Sequence, residues 1–182
     1  MNSMNIVRVL IVLILLLIIV AVLTCCRMSK MNSEESVRCL SEITEFENLS
    51  DVRLTIYYMN LFARTRLPVT LDYLVNGWYD YKVIVSGEEL AEHSSLLSQL
   101  IDAELIPVEN ERLVNARMYY VFEHEERGEF LAFMVFPSGN DTMLVNGSEF
   151  EYDRVFFDVV LPFLPDDAVE TIRTYMQHIS QE

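Results

Sequence analysis

Three histidines, twenty-eight carboxylates and three cysteines are what this chain of 182 residues offers for proton transfer, metal binding or thiol chemistry. A nucleophile needs a base that converges on it in space, and near neutral pH that base is usually histidine. His93 falls inside a helical stretch, His124 at the tip of a hairpin and His178 near the chain end, so spacing alone brings no two together. No GxSxG elbow, phosphate-binding glycine loop or HExxH helix accompanies them.

Among the carboxylates Asp158 stands apart, because it is embedded in the apolar stretch VFFDVVLPFLP. Burial would raise its pKa as it does in some active sites, which makes Asp158 the catalytic candidate. A plain structural role, as the partner of Arg154 four residues earlier, explains the same position. The acidic group Glu123, Glu125, Glu126 and Glu129 surrounds a turn, yet neighbouring strand residues point to opposite faces and no calcium-loop spacing is present. A solvated charged turn accounts for it. Cysteine and histidine spacing fits no zinc site, so neither a metal nor a cofactor is expected.

Two further groups bear on modification and binding. Asn48, Asn140 and Asn146 each stand in Asn-x-Ser/Thr, the acceptor pattern for glycosylation in a lumenal domain. Trp78, Tyr79 and Tyr81 form an aromatic knot beside Gly77, for which core packing is the default reading and an exposed partner-binding patch the alternative.

The elements that must hold these residues read as follows. Val52 to Asn60 is β-branched and aromatic with period-two alternation, a first strand. Thr70 caps a short helix that Gly77 ends, and Tyr79 to Val85 returns as a second strand. Ser86 and Glu89 form a capping box that opens one long helix with Leu90, Leu97, Leu100 and Ile101 on its buried stripe. Arg117 to Glu123 and Glu129 to Phe136 are apolar on both faces around the turn HEERG, so they are central strands of a hairpin. Asn146-Gly147 marks a type I′ hairpin turn. Asp153 to Leu161 is expected as a short helix stopped by Pro162, and Asp166 as the cap of a terminal helix with Val169, Ile172, Met176 and Ile179 on one face.

Ahead of all this lies VLIVLILLLIIVAVL, Val9 to Leu23, bracketed by Arg8 and Arg27. With Thr24, Cys25 and Cys26 the uncharged segment 9–26 makes about 27 Å of helix, the lower end of what crosses a bilayer. A membrane anchor is the expectation, with the lipid bilayer as its partner. A cleaved signal peptide competes with it, and Leu23-Thr24-Cys25-Cys26 is faintly like a bacterial lipoprotein box, although Cys25 stands where a small residue precedes the lipidated Cys. The same two cysteines sit where S-acylation is possible. Basic residues are nearly balanced on the two sides, so the side of the membrane stays open.

From Met31 onward ten basic residues face twenty-eight acidic ones, a net −18. Such a body repels phosphate backbones, which argues against nucleic acid as a partner. The sequence thus predicts an α+β protein: an N-terminal transmembrane helix over 1–28, a polar, partly helical stem over 29–50, and one globular domain over 51–182 in which helices pack on an antiparallel β-meander. The favoured function is a single-pass membrane protein displaying a non-catalytic interaction or sensing module for a protein partner. The alternatives are a membrane-tethered hydrolase using carboxylates, and a secreted or lipid-anchored binding domain.

Overall fold

The computed structural model describes Leu40 and residues 49–100, 103–108, 115–136 and 142–179. Among them the strands are β1 (Val52–Tyr58), β2 (Tyr81–Val85), β3 (Met118–His124), β4 (Gly128–Val135), β5 (Thr142–Val145) and β6 (Ser148–Glu151). The helices are α1 (Leu71–Val75), α2 (Gly87–Glu92), α3 (Ser94–Gln99), α4 (Val155–Asp158) and α5 (Asp166–Ile179), with 3-10 turns at Leu49–Asp51 and Leu161–Phe163. No helix among the described residues is long and apolar enough to cross a membrane. The expected anchor, Cys25, Cys26, Asn48, Asn140 and all of the stem except Leu40 and the 49–50 turn lie outside them.

All six strands pair antiparallel in the order β2-β1-β3-β4-β5-β6. The expected meander is β3 to β6, and β1 with β2 extends it, so β1 is an interior strand. Alternation decides the faces. Leu54, Ile56 and Tyr58 register with Phe122, Tyr120 and Met118, and these in turn with Leu131, Phe133 and Val135. All nine are buried. Tyr120 stacks on Phe133 at 4.7 Å, Phe133 meets Phe156 of α4 at 5.2 Å, and the Tyr120 hydroxyl donates to the Phe156 carbonyl at 2.8 Å. An aromatic stack and one buried hydrogen bond therefore fix α4 on this face.

The opposite face is covered too, as expected for strands apolar on both sides. Val69, Leu74, Ala116 and Met134 form a second cluster with Tyr57, Leu71, Tyr79, Tyr119 and Leu144 packed against it. Helix α1 provides the cover, and Thr70 caps it by accepting from the Tyr73 N–H at 3.3 Å.

Arg117, only 2% exposed, is held by Asn115 Oδ1 (2.7 Å), the Ala116 carbonyl (3.0 Å), the Ala63 carbonyl (3.0 Å) and Thr65 Oγ1 (3.2 Å). No carboxylate pairs with it among the described residues, and burial lowers its pKa. Its two bonds to Ala63 and Thr65 tie the 63–65 loop, just ahead of α1, to the start of β3.

Three local expectations need correction. The long helix after Ser86 is two, because His93 (φ −110°, ψ 21°) ends α2 and precedes α3. Its ring meets Phe163 edge to face at 5.1 Å, a tertiary contact that helical continuity would have to compete with. Pro162 does not stop a helix but sits in the first turn of a 3-10 segment, where its missing N–H is not needed. Asp166 is the first helical residue of α5 rather than its cap: Pro165 contributes the carbonyl that accepts from the Val169 N–H at 3.0 Å. Ala168, Ile172 and Met176 form the inward face of α5, with Val169 only half-buried.

The Asn146-Gly147 turn matches its expectation, with φ of +48° and +84°. Asn146 also clamps β4: its Oδ1 accepts from the Ala132 N–H at 2.7 Å and its Nδ2 donates to the Phe130 carbonyl at 3.3 Å. Asn146→Ala should cost about 2 kcal/mol, one part for the lost clamp and one for a left-handed alanine. Asn146→Gly restores only the turn, and urea midpoints of the two variants separate the parts. Equal stability of Asn146→Ala and the parent chain would contradict the clamp.

Candidate functional site

Where β1 ends and β2 begins, three pieces of chain meet: the loop after Tyr58, the residues leading into β2, and the start of α5. Tyr58 and Tyr81 are the last registered pair of these strands, so both project to the face that α5 occupies. The Tyr81 hydroxyl donates to Asp167 Oδ2 at 2.6 Å, which docks the first turn of α5 on the sheet edge. Asp80 binds back as well. Its N–H donates to the Tyr58 carbonyl at 2.8 Å and its Oδ2 accepts from the Asn60 N–H at 2.7 Å. Asn60 in turn accepts from the Phe62 N–H through Oδ1 at 2.9 Å, turning the loop so that Phe62 stands half exposed beside the opening.

The result is an open cleft of about 730 Å³, lined by Tyr58, Asn60, Phe62, Asp80, Tyr81, Asp167 and Thr171 among others. Its electrostatics are one-sided. Two carboxylates face it, neither has an ion-pair partner among the described residues, and Asp167 lies in the first turn of α5, where the helix dipole favours negative charge. The hydrogen bond to Asp167 raises the pKa of Tyr81. Burial raises that of Tyr58, which is 2% exposed. The Thr171 hydroxyl and the Leu61 N–H approach the Tyr58 hydroxyl and favour its ionised form, but neither reaches it at hydrogen-bonding geometry, and its oxygen has no partner among the described residues.

A second cleft, about 570 Å³, lies between the start of β1, the end of β2 and the β3–β4 turn. Arg53 crosses it to Glu123 with both Nε (3.1 Å) and Nη2 (3.0 Å), so these two charges are satisfied within the cleft.

The residues singled out by sequence are scattered. Asp158 bonds Arg154 Nε at 3.1 Å on the surface of α4, with its side chain 31% exposed, and it lines neither cleft. His93 packs on Phe163, His124 accepts from the Glu126 N–H through Nδ1 at 3.2 Å, and the His178 ring meets Phe62 at 6.0 Å. Glu125, Glu126 and Glu129 are exposed, and among the described residues no three metal-binding side chains gather. The aromatic knot divides: Tyr79 packs against Tyr57, Tyr81 goes to the cleft, and Trp78 is 53% exposed, leaning on Tyr73 at 5.5 Å. The amide of Asn146 is committed to β4, as described above.

Asp80 and Asp167 escaped the sequence reading because nothing local marks them. They are far apart in the chain, and only the β1–β2 pairing and the docking of α5 bring them to one cleft. The aromatic neighbours of Asp80 in WYDY were the one available hint. No known protein family, curated protein or solved structure matches this chain.

Proposed function

We propose that this chain is a single-pass membrane protein, anchored through residues 9–26, whose acidic α+β domain is a non-catalytic module that binds a protein partner. The observation that carries the reading is the run Val9 to Leu23, with no charge, Gly, Pro or polar residue, too long and too uniformly apolar to be one face of a soluble helix. Exposed Tyr73 and Trp78 support the binding role, since these residue types supply much of the energy at protein interfaces.

Alkaline carbonate extraction of membranes from cells making the full chain tests the anchor. The chain is expected in the pellet with Met1 intact by mass spectrometry. Recovery of the intact chain in the detergent-free soluble fraction overturns the reading, and a processed N-terminus replaces it with the secreted or lipid-anchored one.

One observation favours a second reading, a membrane-tethered hydrolase using two carboxylates: Asp80 and Asp167 share a cleft, whereas Asp158 pairs with Arg154. Turnover of a chromogenic ester, phosphate or glycoside that Asp80→Asn abolishes without unfolding the chain would establish it.

A further inference from the structure

We infer that the cleft between Asp80 and Asp167 receives a basic side chain of the protein partner, an arginine in preference to a lysine. This rests on the binding-module reading above and names the chemistry of what is bound.

The two carboxylates use one oxygen each on the protein. Asp80 spends Oδ2 on the Asn60 N–H and Asp167 spends Oδ2 on the Tyr81 hydroxyl. The Oδ1 atoms have no donor among the described residues. The Tyr58 oxygen adds the independent sign of a ligand. Its side chain is 98% buried, the residue lines the same cleft, and the oxygen has no hydrogen-bond partner among the described residues. A buried polar atom left unsatisfied is costly, so a group that donates to it is favoured on arrival.

What satisfies two carboxylates and a hydroxyl at once is a cation with several N–H donors. A guanidinium has five in a rigid plane, an ammonium three on a point. Phe62, half exposed, and Tyr81 also line the cleft. A divalent metal fits less well, because only two carboxylates are present where hard cations take six or more oxygen ligands. The cleft is open, which suits a side chain delivered on a larger body, and the net −18 from Met31 onward attracts a basic partner over distance.

The test is an NMR titration of the full chain in detergent micelles with acetyl-Gly-Arg-Gly-amide, and with the lysine and citrulline versions of the same peptide. The arginine peptide is expected to shift the amide signals of Asp80, Tyr81, Asp167 and Thr171, the lysine peptide to do so more weakly, and neutral citrulline not at all. The Asp80→Asn/Asp167→Asn chain should bind the arginine peptide about tenfold more weakly, while Glu125→Gln/Glu126→Gln, the same charge change at the β3–β4 turn, stays within about twofold. Tyr58→Phe should weaken binding about threefold without lowering the urea midpoint, because it removes an unsatisfied hydroxyl. Equal binding of citrulline, equal loss in the two double variants, shifts spread over the whole acidic surface, or displacement of the peptide by millimolar calcium would each overturn the assignment. So would a lower urea midpoint for Tyr58→Phe, which would mean an internal bond. If these fail while carbonate extraction still retains the chain, only the cleft assignment falls. A soluble full chain removes the anchor reading and leaves the titration as it stands.

Discussion

Raising the pH through 11 should unfold this domain cooperatively. Tyr120 is fully buried with its hydroxyl on the Phe156 carbonyl, and burial pushes its pKa well above the ordinary 10.0. Burial, reinforced by Glu129, pushes Tyr119 up to about 12. Tyr152 is raised by burial and by Asp158, and Tyr58 by burial. In the unfolded chain all four ionise near pH 10, so above that pH the native state holds more protons than the unfolded one. Stability is therefore unaffected below about pH 9 and falls as pH rises through 10 to 12. Each tyrosine contributes a slope of about 1.4 kcal/mol per pH unit once the unfolded chain is ionised, so four together approach about 5 kcal/mol per unit. That is comparable with the whole stability of an ordinary domain, roughly 5–15 kcal/mol. Phenolate absorbance near 295 nm and far-UV circular dichroism, followed together, check this. The late phenolates should appear as the secondary structure is lost. Full ionisation of all nine tyrosines with the dichroism intact would contradict the burial of the four.

Gly87→Ala should be the most damaging single methyl in the described structure, costing about 3 kcal/mol or more. Gly87 is buried at the first residue of α2, where a Cβ would overlap the Leu49 carbonyl oxygen and lie 2.7 Å from both the Leu49 and Ser50 carbonyl carbons. Those are backbone atoms of the 3-10 turn that leads into β1, and no rotamer change moves them aside. Helix propensity acts the other way, favouring alanine by up to about 1 kcal/mol, but the overlap is the larger effect. A urea midpoint at or above that of the parent chain would show that the turn can retreat. Glu88→Ala, one residue on and exposed, is the control and should shift the midpoint little.

The strands were legible because their signals are local. Val52 to Tyr58 alternates, the HEERG and Asn-Gly turns carry the residues that their backbones require, and Thr70 and Ser86 sit where the side chain can cap the next turn. The break at His93 was not legible, because capping-box chemistry and leucine spacing are satisfied by one helix as well as by two. The contact that His93 makes at the break is with Phe163, 70 residues on. Asp158 drew attention for its apolar neighbours in sequence, but Arg154 lies one turn away on the same helical surface, and that proximity is what the carboxylate meets.

Local pattern by itself determined the class of elements, the two hairpin turns of the meander, the strongly acidic charge and the apolar N-terminal run, since each depends only on residues a few positions apart. The tertiary structure decided the rest: that β1 lies inside the sheet, that Arg117 is buried to tie a loop, that Trp78 faces outward, and that Asp80, Asp167 and the unsatisfied Tyr58 hydroxyl share one cleft. These follow from strand order and from the docking of α5, contacts between residues distant in the chain whose pairing no local periodicity encodes.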